Sequence, residues 1–205
     1  DQFLKQLPFE LTSAQQRVAA EIHTDIKKNI PMLRLIQGDV GSGKTVVAAL
    51  AALQAIAQGK QAALMAPTEI LAEQHRLNFE QWFAEMNISV AWLTGKVKGK
   101  AREMQLDNIA NGTAQMVIGT HALFQEAVVF SDLALTIIDE QHRFGVHQRL
   151  ALRNKGFGNA TFSVNAIAPH QLIMTATPIP RTLAMSAYAD LDCSIIDELP
   201  PGRTP

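Results

Sequence analysis

Short apolar runs alternate along the chain with longer stretches whose apolar residues recur at helical spacing. The short runs predict seven strands, at 32–37, 61–66, 88–93, 115–119, 133–138, 171–175 and 193–197. The longer stretches predict six helices, at roughly 13–28, 44–58, 69–86, 98–111, 146–154 and 180–189. Strands that alternate with helices are typical of a mainly parallel sheet with helices on both faces. The pattern therefore predicts one α/β domain.

Three local signals refine this outline. In the segment 69–86, six positions approximate the apolar face of a helix: Ile70, Leu71, Leu77, Trp82, Phe83 and Met86. Gly59 lies where a C-terminal cap belongs, just after the helix predicted at 44–58. The glycines, asparagines and proline between Gly156 and Pro169 predict a surface loop.

Composition is that of an ordinary globular protein. Of 205 residues, 47% are hydrophobic and 18% are charged, and the formal net charge of −1 gives no overall electrostatic case for nucleic acid. The single cysteine, Cys193, excludes an internal disulfide, and we expect a small buried hydrophobe in a reducing cytoplasm. The longest apolar run follows Lys44 and is too short for a bilayer, and no secretory leader opens the chain. We therefore expect a cytoplasmic protein with no membrane partner.

The strongest chemical signal is the stretch Gly38-Asp39-Val40-Gly41-Ser42-Gly43-Lys44-Thr45. It fits the phosphate-loop pattern G-x-x-x-x-G-K-[ST], and it lies between a predicted strand and a predicted helix. Glycines let backbone N–H groups point at phosphate oxygens, the helix adds the positive end of its dipole, and Lys44 adds a full charge. Thr45 supplies a hydroxyl for Mg²⁺. The stretch predicts a nucleoside triphosphate site, and a plain glycine turn is the weaker interpretation.

Two carboxylates, Asp139 and Glu140, follow the predicted apolar strand 133–138. In an open parallel sheet, ligands gather at the C-terminal ends of the strands, where the phosphate loop also lies. Asp139 would hold Mg²⁺ through water while Thr45 binds it directly, and Glu140 would orient and partly deprotonate the attacking water. Such a pair by itself is often only a polar strand end, but the complete phosphate loop upstream favours the catalytic interpretation.

Longer motifs point to a family. Asp139-Glu140-Gln141-His142 resembles the DExH signature of superfamily 2 helicases and translocases. More specifically, the runs 66–75, 139–146 and 175–182 are similar to those of RecG-type branch-migrating DNA helicases, and the resemblance covers essentially the whole chain. Transcription-repair coupling translocases share Arg-Phe-Gly-Val of the second run and the whole of the third, whereas Gln141 and the run 66–75 favour the RecG type.

The resemblance implies a RecA-like phosphate-loop NTPase domain, with ATP and Mg²⁺ as cofactors. It implies a helicase that remodels branched or forked DNA in recombination and repair, with ATP in the cleft between two RecA-like domains. We expect 1–198 to be the first motor domain and 199–205 to begin the linker to a second, with that domain and a wedge domain missing here. Without the second domain's arginine finger, we expect nucleotide binding with little turnover from this chain alone.

Other functions stay open at this point. The chain could be the corresponding domain of a transcription-repair coupling translocase. It could instead be a self-contained phosphohydrolase, such as a kinase or GTPase, although the base-specificity motif Asn-Lys-x-Asp does not occur. A nucleotide-gated binding module without hydrolysis is a third possibility, which the intact Lys44, Thr45, Asp139 and Glu140 argue against.

The resemblance also implies roles for residues outside the two central motifs. Gln15 would hydrogen-bond the adenine edge, although Thr12-x-x-Gln15 is also a helix capping box. His142 would couple the nucleotide site to Thr175 and Thr177. A structural histidine, and hydroxyls that cap a strand end locally, are the alternatives.

A DNA-binding surface is predicted from local charge and from helix starts. Four cations fall within seven residues: Lys96, Lys98, Lys100 and Arg102. They could track a phosphate backbone, or they could belong to a solvated loop and helix start. Helix N-termini after Thr68 and Thr120 can also bind phosphates through backbone N–H groups, and in such motors these segments typically lie across the strand.

Overall fold

The structure is a computed structural model, and it describes residues 2–7, 10–39, 43–140, 169–176 and 192–197. The helices predicted at 146–154 and 180–189, and nearly all of the loop predicted from Gly156, lie outside these residues. Among the described residues, no helix combines the length and the apolar character that a membrane span requires.

A sheet of seven parallel strands forms the centre of the fold. The strands are β1 Leu33–Gly38, β2 Gln61–Met65, β3 Val90–Leu93, β4 Met116–Gly119, β5 Leu133–Glu140, β6 His170–Thr175 and β7 Asp192–Ile196. Their order across the sheet is β3-β4-β2-β5-β6-β1-β7. All seven predicted strands are present, and β5 extends two residues further than predicted because Asp139 and Glu140 still pair with β6.

Five α-helices accompany the described strands: α1 Gln2–Gln6, α2 Ser13–Ile26, α3 Lys44–Ala57, α4 Glu69–Phe83 and α5 Gly99–Ala110. Two short 3-10 helices follow α4 and β4, at Ala84–Met86 and His121–Phe124. Four of the six predicted helices correspond to α2 through α5. Neither α1 nor the second 3-10 helix was predicted, since each is too short to show a helical period. Gly59 has φ 77° just after α3, as its predicted capping position requires.

The apolar core lies on both faces of the sheet. Successive side chains of a central strand therefore point to opposite faces and are buried in different layers. In β5, Leu135 and Ile137 pack in the layer beneath α2, α3 and α4. Ile138 packs in the other layer, with Ile109 of α5 and Leu123 of the 3-10 helix after β4. Burial on both faces explains why the central strands are almost continuously apolar, and it confirms the predicted α/β class.

The apolar face predicted for segment 69–86 was wrong in part. The buried residues of α4 are Ala72, His75, Phe79 and Phe83, whereas Ile70 and Leu77 are 72% and 55% exposed. The face of α4 that is buried against the sheet includes the polar residue His75. A search for apolar residues alone misses such a position.

The expectation that Cys193 is buried was also wrong. Cys193 is exposed on β7, which lies at the edge of the sheet. Along this strand Ser194 and Ile196 are buried while the alternating residues are exposed. One face of β7 is covered and the other is open, and Cys193 falls on the open face because side chains alternate along a strand.

Candidate functional site

The phosphate loop begins at the end of β1 and finishes at the first turn of α3. Gly43 precedes α3 and has φ 85°, a left-handed conformation that favours glycine. A Cβ at Gly43 would also overlap Nε2 of Gln15 on α2. The sequence needs glycine here for both its conformation and its space. Val40, Gly41 and Ser42 lie outside the described residues.

Lys44 lies within the loop that it is predicted to serve. Its Nζ donates hydrogen bonds to the carbonyl oxygens of Gly38, at 2.6 Å, and Asp39, at 2.9 Å. Partial burial lowers the pKa of Lys44, and the negative charges of Asp139 and Asp39 act in the opposite direction. The structure therefore brings the lysine of the first motif within the electric field of the aspartate of the second.

The sheet topology explains how the two motifs meet. Strands β1 and β5 flank β6, and all three are parallel, so their C-terminal ends lie at the same edge. Because neighbouring strands lie about 4.8 Å apart, the ends of β1 and β5 are about 10 Å apart. Thr175, the last residue of β6, is buried there and pairs with Gln37 of β1 and Glu140 of β5. The predicted coupling residue therefore lies between the two motifs.

Asp139 has a partner that the sequence analysis missed. Its Oδ2 lies 2.6 Å from Nε2 of His75 on α4, and the two side chains are only 13% and 9% exposed. A carboxylate can only accept a hydrogen bond, so the Nε2–H of His75 donates. The signal that could have found it was a histidine among the core positions of α4.

The donor set near Lys44 fits Mg²⁺ bound together with a nucleotide. Thr45 stands in the first turn of α3, and Asp139 lies near the C-terminal end of β5, close enough for its charge to affect the pKa of Lys44. Hydroxyl and carboxylate oxygens are the hard ligands that Mg²⁺ prefers, and protein sites for it usually combine one or two such groups with phosphates. The backbone of Glu140 pairs in β5, while its side chain lies outside what the structure describes.

Gln15 makes the helix cap that was the alternative to base contact. Its backbone N–H donates to Thr12 Oγ1 at 3.2 Å, and its side-chain Oε1 accepts from the Thr12 N–H at 3.0 Å. The side chain is buried beside Gly43. Gln15 thus caps the start of α2 and lies against Gly43 of the phosphate loop, and its contact with adenine stays a prediction.

The predicted DNA residues lie, like the phosphate loop, at the C-terminal ends of the strands, but on the other side of β5 from β1. Thr68 follows β2, Thr120 follows β4, and the lysine run Lys96, Lys98 and Lys100 follows β3. These three strands form the other half of the sheet, in the order β3-β4-β2. At the C-terminal ends of the strands, the nucleotide residues therefore lie at the end of β5 and after β1, and the candidate DNA residues follow β3, β4 and β2.

The two threonines of this surface are occupied as helix caps. Thr68 Oγ1 accepts from the Leu71 N–H at 3.3 Å, and Thr120 Oγ1 accepts from the Ala122 N–H at 3.5 Å. Thr120 is only 3% exposed. Accepting these bonds leaves each hydroxyl its own O–H as a donor, and contacts from the neighbouring backbone N–H groups, as the helix-start prediction supposed, stay a prediction.

The lysines differ in how available they are. Lys96 Nζ pairs with Glu69 Oε2 at 3.0 Å, and this hydrogen bond raises the pKa of Lys96. Lys98 and Lys100 are exposed where α5 begins. His142 and Thr177, predicted to couple hydrolysis to movement, lie outside the described residues.

A sequence model of DEAD/DEAH box helicases matches residues 12–186. The chain belongs to the DEAD/DEAH box helicase family. This helicase domain is 68% identical over 203 residues to ATP-dependent DNA helicase RecG of Haemophilus influenzae, covering 99% of the chain and 28% of the relative. It is 67% identical to RecG of Escherichia coli K12, covering 100% of the chain and 29% of the relative. The chain thus spans little more than a quarter of these relatives.

Solved structures agree with the sequence relatives. A RecG structure bound to a three-way DNA junction matches 98% of the helicase domain and 26% of the solved chain, with 45% identity and a TM-score of 0.81. The helicase MrfA, at 20% identity and a TM-score of 0.72, covers 98% of the chain and shares the fold. The predicted resemblance to RecG and the predicted RecA-like fold are confirmed.

Proposed function

We propose that this chain is the ATP-binding motor domain of a helicase that remodels branched or forked DNA in recombination and repair. The observation that carries the proposal is that Lys44 and Asp139 stand at the same end of a RecA-like sheet, close enough for the charge of Asp139 to affect the pKa of Lys44. It is supported by relatives named ATP-dependent DNA helicase RecG, and by a similar RecG structure that is bound to a three-way junction.

The phosphate loop would bind the triphosphate of ATP. Backbone N–H groups at the start of α3 point along the helix axis towards the loop, and the positive end of the helix dipole favours phosphate there. The Lys44 ammonium would exchange its contacts with the Gly38 and Asp39 carbonyls for phosphate oxygens. A partly buried cation interacts more strongly with phosphate than an exposed one, because water screens it less.

Thr45 and Asp139 would hold the Mg²⁺ that accompanies ATP. Bound Mg²⁺ would supply charge neutralisation for the phosphates during phosphoryl transfer. Glu140 would orient the attacking water and accept its proton. His142, Thr175 and Thr177 would relay the state of the nucleotide site to the rest of the motor, and the position of Thr175 between Gln37 and Glu140 supports that role.

The remaining parts of the motor would come from a longer protein. In this proposal residues 1–198 form the first RecA-like domain and 199–205 begin a linker to a second RecA-like domain, while an N-terminal wedge domain belongs to the same parent chain. The second domain would close the ATP cleft, so this chain alone would turn over ATP slowly. Because its substrate would be DNA, we propose a cytoplasmic location at the bacterial chromosome.

A combined assay of nucleotide binding and turnover tests the proposal. The chain should bind a fluorescent ATP analogue in the presence of Mg²⁺, while its steady-state ATP hydrolysis should stay near background with or without forked DNA. Lys44→Ala should abolish analogue binding and leave the thermal unfolding midpoint nearly unchanged. Lys60→Ala is the matched control. Lys60 lies just before β2, at the N-terminal ends of the strands, whereas the phosphate loop lies at their C-terminal ends.

Two results would contradict the proposal in different ways. Unchanged analogue binding by Lys44→Ala would remove the phosphate loop from nucleotide binding. Brisk hydrolysis that ignores DNA would indicate a self-contained phosphohydrolase, and the helicase function would then be withdrawn.

A further inference from the structure

The contact between His75 and Asp139 links two segments far apart in sequence. His75 stands in the middle of α4, and Asp139 stands near the end of β5. The 2.6 Å distance from Nε2 to Oδ2 is short for a nitrogen donor, as expected when the acceptor carries a charge. Among the described residues, His75 is the hydrogen-bond partner of this carboxylate.

The position of His75 on α4 is one that packing alone would give to an apolar residue. Ala72, Phe79 and Phe83, which share its buried face, are fully buried. His75 is itself buried, and its second ring nitrogen, Nδ1, has no hydrogen-bond partner among the described residues. A buried polar atom without a partner destabilises the folded state. Core packing therefore does not account for the histidine, whereas the hydrogen bond to Asp139 does.

The Asp139 carboxylate has a hydrogen-bond partner and acts electrostatically on a nearby cation. His75 binds Oδ2, and the carboxylate charge acts on the Lys44 ammonium. A free aspartate side chain can rotate about two bonds, and each rotation changes where its oxygens point. A hydrogen bond that is mostly withdrawn from water restricts this rotation. One oxygen is committed to His75, which leaves Oδ1 as the other acceptor.

We infer that His75 is a positioning residue for the magnesium site: it orients the Asp139 carboxylate so that Oδ1 serves the Mg²⁺ of the bound nucleotide. This inference rests on the proposed function, because it needs Asp139 to act at a magnesium–nucleotide site. Hydrogen bonds from outer residues to metal ligands hold those ligands in the binding geometry. His75 also ties α4, which begins next to Thr68, to the carboxylate at the nucleotide half of the sheet edge.

Two amide variants separate orientation from the mere presence of a polar group. In His75→Gln the side-chain N–H₂ reaches the place of Nε2 and can still donate to Asp139. In His75→Asn the same group stops at the place of Nδ1 and cannot reach the carboxylate. The two variants have the same functional group and differ by one methylene, so a difference between them reports the reach of the donor.

The measurement is the Mg²⁺ dependence of fluorescent ATP-analogue binding to the chain, repeated with Mn²⁺ followed by its electron paramagnetic resonance signal. His75→Asn should weaken the apparent affinity for both ions about 10-fold, the lower end of the usual effect of losing such an outer contact. His75→Gln should stay within about 3-fold of the unchanged chain, because the hydrogen bond is retained. Binding of the analogue without metal should be equal in all three proteins.

Phe79→Leu provides the structural control, since Phe79 lies one turn further along the same buried face of α4. It should lower the thermal unfolding midpoint without moving either metal titration. In an Asp139→Ala background, His75→Asn should cause no further loss of metal affinity, because the carboxylate that His75 binds is already absent.

The outcomes distinguish this inference from the proposed function. Equal metal titrations for the Gln and Asn variants, or a shift caused by Phe79→Leu of the same size, would overturn the positioning role and leave the proposed function intact. If the unchanged chain binds the analogue with no dependence on Mg²⁺, the magnesium site itself is overturned, and the role of His75 with it.

Discussion

Replacing Gly43 with alanine tests how the start of the phosphate-loop helix is built. An alanine at φ 85° is held in the left-handed region, which destabilises the folded state by about 1 kcal/mol. The added Cβ would also overlap Nε2 of Gln15 and lie 3.1 Å from its Cδ. The buried carboxamide must then move, and its hydrogen bond to the Thr12 N–H breaks, which removes about 1 kcal/mol of capping energy. We expect a total loss of about 2 kcal/mol.

Urea unfolding followed by tryptophan fluorescence measures this loss. Trp82 reports on the core because its ring packs against Phe3 and Phe79, at centroid distances of 5.8 and 5.5 Å. Gly59→Ala is the matched control: Gly59 follows the same helix, has φ 77°, and has no atoms within 4 Å of an added Cβ. That variant should lose only the conformational part, about 1 kcal/mol.

The overlap with Gln15 can be isolated by removing its side chain. In a Gln15→Ala background, Gly43→Ala should lose no more stability than Gly59→Ala does, because only the left-handed conformation remains unfavourable. If Gly43→Ala and Gly59→Ala are equally destabilising in the unchanged background, Gln15 does not support the loop and the reasoning fails.

Three further predictions concern other parts of the molecule. Burial lowers the pKa of His170 below its usual 6.5, so the unfolded chain takes up a proton at a higher pH than the folded chain does. The free energy of unfolding, measured in urea, should therefore fall as the pH drops below about 6.5. If this free energy depends on pH equally steeply in His170→Gln, the prediction is contradicted. Arg34→Ala should destabilise the chain by about 3 kcal/mol in urea unfolding, because it removes the cation that pairs with the buried Asp25 at 2.6 Å. A loss below about 1 kcal/mol would show that this ion pair is dispensable. If Lys98 and Lys100 contact DNA phosphates, replacing both with alanine should reduce the slope of log binding constant against log salt concentration by about 2, as measured by fluorescence anisotropy. An unchanged slope would exclude both lysines from the DNA surface.

Much of the fold was predictable because its signals are local. Each central strand is a short apolar run that must be buried on both faces, and each long helix begins at a cap or a glycine turn. The placement of Lys44 and Asp139 at the same end of the sheet was also predictable, since parallel strands bring their C-terminal ends together. The choice of Ile70 and Leu77 for the buried face of α4 failed because apolar residues also occur on exposed faces, as most protein surfaces include some.

The sequence by itself determined the phosphate loop, the strand that carries Asp139 and Glu140, and the alternation that makes an α/β domain. These follow from residues close together in the chain, where spacing and residue type already constrain the backbone. Only the tertiary structure decided that β6 lies between β1 and β5, that Cys193 faces outward, and that His75 meets Asp139. Contacts between distant segments depend on strand order and on which helix face turns inward, and neither is set by the residues of one segment alone.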